Sequence, residues 1–568
     1  MRKEQGNCGE ERKQPNILIL MVDQLRFPVA YETEKLKEWQ EKNLLTQQLL
    51  RKNGMEFMNH YGGSTACAPS RATLYTGQYP SLHGVTQTPG AAKGSFDPEI
   101  FWLDPNTVPT MGDYFRAAGY QTYWKGKWHV SDEDILIPGT HNALASYDET
   151  DGKPVKDLEE FYQKANRLEP FGFSDWIGPE PHGADPRNSG SSAAVGTSGR
   201  DEMYANDTVN LIMSLEKNEN STPWLIMCSF INPHDIALYG ELTNRAPNYH
   251  FEADLSLPYI PQAPTAKESL STKPQAQRSY RNTYPKALQP IIDNNFYRQV
   301  YYSLQKKADE EMLKVFQALK QSTFYENTIV LFTSDHGELL GAHGGLYQKW
   351  YTMYEEAIHI PLIIHSPKLF QSNECTNMLT SHVDVLPTLL GLAGIKADSV
   401  QEVLAKSHNE VHPFAGRNLT PLLKGNKNFM RADEPLYFMT DDDVTKGLNQ
   451  TTITGQSYTS VIQPNHIEAV ITTLRTGICN KKEIWKFARY FDNTQFSDDN
   501  DEEPVPDEYE LYNLTRDPLE ENNMAHPAFA TAESARIQHI LARTLEEQCN
   551  QKRRSPSSGD VPGMLSCD

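Results

Sequence analysis

The chain is 568 residues long, 38% hydrophobic, with a net charge of −21 at pH 7. That length allows a large core and more than one structural unit, read here as one big domain and one small one. So acidic a chain argues against a general nucleic-acid or anionic-membrane partner, and an anionic substrate would require a locally positive pocket.

No apolar run approaches a membrane span, and residues 1–14 are charged and lack the apolar core of a secretory signal. The expectation is a soluble, cytoplasmic protein with no membrane partner. Seven scattered cysteines without CxxC spacing suggest neither a disulfide framework nor a zinc site.

From Pro15 to Asp23 the sequence is a continuous apolar run ending in a carboxylate. Such a run suits a strand buried on both faces of a parallel sheet, and ligands collect beyond the carboxyl ends of such strands, where Asp23 and Gln24 would stand. At Cys67–Gly77 the sequence reads Cys-Ala-Pro-Ser-Arg-Ala-Thr-Leu-Tyr-Thr-Gly. Pro69 and Ser70 open a helix, which places Cys67 just ahead of a helix N-terminus where unpaired N–H groups favour anions, with Arg71 as a fixed cation.

The strand pattern recurs three times. Gly119–Val130 leads into Lys127 and His129, Trp224–His234 ends in Asn-Pro-His, and Thr328–His336 ends in Ser-Asp-His followed by Gly-Glu. Taken singly, a strand-capping Asp, a surface Lys or a core His accounts for each; together they describe a site at one sheet edge.

Between the strands, Tyr297–Lys320 carries Leu304, Ala308, Met312, Val315, Phe316 and Leu319 at helical spacing, a core-packing stripe. Strand, helix and strand in alternation indicate an α/β domain with a mainly parallel sheet. Pro179–Gly199 and Pro258–Pro290 read as long loops over the site; the first holds His182 and Arg187, candidates for touching substrate. Beyond Leu340 come His343, a further candidate, and Lys349, then an apolar run His359–His365 and a helix with Asp384 near its start.

From about Glu434 the texture changes to short strand-like pieces, Leu436–Met439, Val461–Ile462, Ala469–Leu474 and Trp485–Phe491, followed by the acidic run Asp498–Glu503 and a helix over Thr531–Gln548. The expected layout is a charged extension over 1–14, a catalytic domain over 15–433, a small antiparallel sheet with a helix over 434–550, and a mobile tail over 551–568.

The Cys67 segment resembles the sulfatase signature C-x-P-S-R-x-x-L-x-T-G, with Cys67, Pro69, Ser70, Arg71, Leu74, Thr76 and Gly77 in place. Further landmarks follow in family order: Gly126-Lys127-Trp128-His129, Asn232-Pro233-His234, Ser334 to Glu338, Lys349 with Tyr354-Glu355, and Glu510 to Leu514 with Asp517-Pro518. The resemblance to sulfatases of the alkaline phosphatase superfamily covers roughly residues 15–525. It implies an α/β fold, a large mainly parallel mixed sheet sandwiched by helices, with a smaller C-terminal antiparallel sheet. Many members have two adjacent aspartates where this chain has Asp23-Gln24, and some have Asn where it has His336. Both substitutions occur in the branch holding choline sulfatases and phosphonate monoester hydrolases.

The resemblance implies that a formylglycine-generating, or sulfatase-maturating, enzyme oxidises Cys67 to formylglycine (3-oxoalanine), whose hydrate attacks sulfur. Asp23, Gln24, Asp335 and His336, with residue 67, would hold one divalent cation, Ca²⁺ ahead of Mn²⁺ or Mg²⁺. Arg71, Lys127 and Lys349 would supply positive charge, Asp335 would take the proton of the attacking hydroxyl, His234 with Lys349 would protonate the leaving alcohol, and His129 would draw the second proton. The substrate would be a sulfated small molecule or glycan. Two alternatives stay open: a phosphonate monoester or phosphodiester hydrolase with the same machinery, and a protein that binds a sulfated ligand without cleaving it.

Overall fold

The computed structural model describes residues 14–557 except 182–184, 192–198, 219–221, 427–428, 430–433, 478–479 and 493–502. The acidic run Asp498–Glu503 thus lies mostly outside the described residues, as do residues 1–13 and most of the C-terminal tail. No helix among the described residues is long and apolar enough to cross a membrane.

Seven strands form the main sheet: β1 (Asn16–Asp23), β2 (Gly54–Tyr61), β3 (Gln121–Gly126), β4 (Trp224–Pro233), β5 (Thr328–Ser334), β6 (Leu362–His365) and β7 (Glu374–Ser381), in the order β3-β4-β1-β5-β6-β2-β7. All pairings are parallel except those of β6, which runs against both β5 and β2. All eight residues of β1 are buried, the state its unbroken apolar run requires.

Alternate residues of β1 feed two cores. Ile17, Ile19 and Met21 pack with Ala68, Ala72 and Tyr75 of helix α1 (Cys67–Thr76). Leu18, Leu20 and Val22 pack with the helix α2 (Arg200–Lys217) and with Ala308, Met312, Val315, Phe316 and Leu319 of α3 (Asn295–Gln321), the stripe read from the sequence. Helices therefore cover both faces of a mainly parallel sheet, the alkaline phosphatase-like α/β arrangement expected.

A second, antiparallel sheet has the order β11-β10-β9-β8, from β8 (Leu436–Thr440), β9 (His466–Thr476), β10 (Lys481–Phe491) and β11 (Glu508–Asn513). One face packs against Ile537, Leu541 and Leu545 of the last helix, α4 (Ala532–Lys552). The other packs against Leu346, Trp350, Met353 and Tyr354, so the small sheet supports the segment that carries Lys349.

Several local expectations change. Cys67 is the first residue of α1, not the residue before it; Pro69 and its missing N–H fit the first turn, where amide donors have no helical acceptor. Ser70 does not cap α1, since its hydroxyl instead donates to the Asp335 carbonyl and accepts from Gly63 N–H. Pro258–Pro290 is not an open loop: Gln275–Ala287 is a helix with Tyr280 and Tyr284 buried one turn apart. Val461–Ile462 forms no strand, whereas β2, β7 and β11 do. Cys549 is disulfide-bonded, which scattered cysteines had not suggested.

Candidate active site

Strand register assembles the site. β1 and β5 pair in parallel with Val22 opposite Ser334, so the residues that follow, Asp23 and Asp335, stand side by side. On the other flank of β1, Asp23 pairs with Pro233 at the end of β4, which brings in His234; β3 ends beside β4 with Gly126 opposite Ser229, which brings in Lys127. Four adjacent parallel strands thus release an acid, a base or a cation at the same edge.

The N-terminus of α1 points into this edge. The Cys67 Sγ lies 3.0 Å from His336 Nε2, 3.2 Å from Lys349 Nζ and 3.9 Å from Asp23 Oδ1. Lys349 Nζ also donates to Gln24 Oε1 at 2.9 Å, while Gln24 Nε2 donates to Glu338. Glu338 therefore sets which end of the Gln24 amide faces the site. Lys127 Nζ donates to Asp23 Oδ2 at 2.7 Å. The backbone N–H groups of Trp128 and His129 both donate to Glu180 Oε1, which holds His129 at a φ of 65°.

Arg71 sits behind this layer, fully buried. Its guanidinium donates to Asp335 Oδ2 at 2.8 Å, Asp23 Oδ2 at 2.9 Å, Ser229 Oγ at 2.9 Å and the Lys127 carbonyl at 3.0 Å. Its donors are spent fixing the two carboxylates, so its charge acts through them. Burial alone would raise the Asp23 carboxyl, but Lys127, His234 and Arg71 outweigh it and hold it well below the usual range. Burial pulls His234 below its ordinary value against the opposing pull of Asp23.

The donor set fits a hard or borderline cation. Asp23, Cys67, Asp335 and His336 each offer a ligand atom, all within 4.8 Å of one another. Burial pushes the His336 imidazole down to about 4 against the pull of Asp335, so the ring is neutral near pH 7. Its Nδ1 lies 3.0 Å from the Gly337 carbonyl, which can only accept, so the proton is on Nδ1 and Nε2 presents a lone pair. That lone pair faces Asp23 Oδ1 and Asp335 Oδ1, each at 3.6 Å. Three electron-rich atoms converging in a buried space are what a cation would satisfy, and the Nδ1 hydrogen bond is the usual outer support of a ligating histidine.

Above Sγ opens a cavity of about 550 Å³ lined by Cys67, Lys127, His129, His234, Gln348, Lys349 and Trp350 among others. The Lys349 ammonium lies 4.7 Å from the centre of the Trp350 ring, whose Nε1–H donates to Asp442 Oδ2 at 3.0 Å.

Two of the three substrate-contact candidates, Arg187 and His343, are not among the described residues that line this cavity. His182 lies outside the described residues. Arg187 is not part of the wall and makes a two-pronged pair with Asp185 (2.8 and 3.2 Å). His343 is fully buried between Glu268 (3.1 Å) and Glu356 (3.3 Å) and stacks on Tyr354 at 3.4 Å. Asp335, the expected proton acceptor, and Asp23 both stand beside residue 67. Asp335 Oδ1 accepts from the Gln24 and His336 N–H groups and Oδ2 from Arg71, leaving Asp23 Oδ1 as the carboxylate oxygen that faces Sγ. The sequence did not single out Trp350, Asp442 or Glu180. Trp350 adjoins Lys349 and could have been suspected, but the pairing with Asp442 has no local signal.

A sequence profile of the sulfatase family matches residues 15–395. The chain belongs to the sulfatase family. This sulfatase is 28% identical over 402 residues to the uncharacterized sulfatase YidJ of Escherichia coli (strain K12), covering 68% of this chain and 69% of that one. It is 27% identical over 430 residues to the choline-sulfatase of Rhizobium meliloti (strain 1021), covering 72% of each. Its fold matches the crystal structure of the phosphonate monoester hydrolase of Agrobacterium radiobacter with a TM-score of 0.59 at 19% identity, over 95% of this chain and 96% of that one.

Proposed function

We propose that this sulfatase hydrolyses a sulfate monoester at residue 67 once Cys67 has been converted to formylglycine. The observation that carries the reading is the position of Cys67, at the first turn of α1, on the floor of the cavity, with Lys349 and His336 within 3.2 Å of its Sγ. A thiol is a poor partner for carboxylates and a hard cation, whereas an aldehyde hydrate offers two oxygen nucleophiles in the same place.

In the first half-reaction one hydroxyl of the hydrate attacks sulfur and gives its proton to Asp335 or Asp23, the two carboxylates beside residue 67. The sulfur–oxygen bond to the alcohol breaks, and His234 or Lys349 delivers a proton to the departing oxygen. Residue 67 now carries the sulfate ester. In the second half-reaction His129 takes the proton of the remaining hydroxyl, the carbonyl re-forms, and the carbon–oxygen bond to sulfate breaks. Water rehydrates the aldehyde. Lys127 and Lys349 meet the charge on the sulfuryl oxygens with no reorganisation, since both are already held by Asp23 and Gln24.

Asp23, Gln24, Asp335 and His336 would hold one divalent cation, Ca²⁺ ahead of Mn²⁺ or Mg²⁺, which would supply Lewis acidity towards a sulfuryl oxygen. Gln24 and His336 also support a second reading, hydrolysis of a phosphonate monoester or phosphodiester, because this ligand pair departs from the two-aspartate pattern of many sulfatases. A mass spectrum of the peptide containing Cys67, from protein made in its native host, tests the main reading. An aldehyde is expected, and an intact thiol in active protein would overturn it.

A further inference from the structure

The described lining of the cavity combines two chemistries. Cys67, Lys127 and Lys349 line it with polar and charged groups, whereas Pro181, Ala237, Leu238, Leu288, Trp350 and Ile453 line it with carbon. No carboxylate is among the described lining residues. Three polar side chains of the wall, Lys93, Gln289 and Thr243, are bonded to the wall itself. Lys93 Nζ donates to the Gln87 side chain and, at 2.7 Å, to the Asp443 carbonyl, and pairs with Glu99 at 3.3 Å. Gln289 Nε2 donates to the Leu238 carbonyl at 3.1 Å, which also accepts the Thr243 hydroxyl at 2.5 Å. The Trp350 N–H is turned away to Asp442, so the indole offers the cavity carbon surface.

We infer that the alcohol released by this sulfatase is an uncharged, largely apolar or aromatic one. The inference rests on the sulfate-ester reading and names the leaving group that the apolar part of this lining accepts. A second sulfate or carboxylate on the substrate would lose its hydration against Leu238, Leu288 and Ile453 with Lys93 already paired. A quaternary ammonium would meet no carboxylate among the described lining residues and would lie close to the Lys349 ammonium, 4.7 Å from the centre of the Trp350 ring. An apolar or aromatic group replaces water against carbon, which is where such a wall gives binding.

The test uses full-length, formylglycine-bearing protein and three aryl sulfates with para cyano, sulfonate or trimethylammonium groups, each kcat/KM divided by the uncatalysed rate. Glucosamine 6-sulfate is the saccharide comparison. The neutral cyano ester is expected to lead by about tenfold or more. A lead for the sulfonate, the trimethylammonium ester or the saccharide would overturn the inference and leave the sulfatase reading standing; cleavage of none would overturn that reading itself. Ile453 is 67% exposed at the cavity mouth, so Ile453→Glu spares the core. This change should shift the cyano-to-trimethylammonium ratio about threefold or more towards the cation, with inhibition by inorganic sulfate reporting the charged part of the lining separately. An unchanged ratio would contradict contact between the wall and the leaving group.

Discussion

Lys349 Nζ bridges Cys67 Sγ and Gln24 Oε1, at 3.2 and 2.9 Å, and so ties the nucleophile position to the end of β1. Lys349→Ala removes a preorganised cation from a buried site, where such donors contribute most. The expected result is a kcat lower by roughly two to three orders of magnitude with an unchanged melting temperature. Equal kcat in variant and parent would remove Lys349 from the chemistry.

Cys67→Ala should abolish turnover and leave folding intact, because Ala suits a first helical turn. Cys67→Ser has one hydroxyl and none left to expel sulfate, so it should stall as a covalent sulfate ester visible by intact-protein mass spectrometry. Sustained multiple turnover by the serine variant would exclude the hydrate mechanism.

Asp23→Asn and Asp335→Asn each take a charge from the cation site and from Arg71. Both should lose most activity and bind less metal by elemental analysis, and chelator-treated parent protein should regain activity with a divalent ion. Full activity in metal-free protein would remove the cation from the account. Recovery far better with Mn²⁺ than with Ca²⁺ would give weight to His336 as a ligand.

His343 has a structural role that shows in pH dependence. Burial would lower its imidazole, but Glu356 and Glu268 outweigh burial and raise it from 6.5 to about 9. A group raised on folding contributes stability in full below its unfolded value, and that contribution is lost as pH rises through the folded value. His343→Gln should therefore cost on the order of 3 kcal/mol at pH 6 and progressively less towards pH 9 and above. Thermal melts of parent and variant across that range check the trend; a deficit that grows with pH would contradict it.

Much of the site was legible in the sequence because its strands are buried on both faces and read as unbroken apolar runs that stop at charged residues, as at Asp23 and Asp335. The strand ends then place Lys127 and His234 by register alone. The rest depends on distant partners. Glu338 orients Gln24 from 314 residues away, and Asp442 reaches Trp350 across 92. His343 looked available beside its glycines, but Glu268 and Glu356 enclose it. The helix over Gln275–Ala287 was hidden by a Ser-, Gln- and Pro-rich composition, and β7 by its half-exposed face.

The most direct test is to compare kcat/KM of the formylglycine-bearing, metal-saturated protein for an aryl sulfate with that for the matching phosphate monoester, phosphodiester and phosphonate. This ratio reports differential transition-state stabilisation and is insensitive to tight binding of one anion in both states. The aryl sulfate should be cleaved fastest. A phosphonate or phosphodiester ahead by about tenfold or more would contradict sulfate-ester hydrolysis as the function and favour the phosphonate reading.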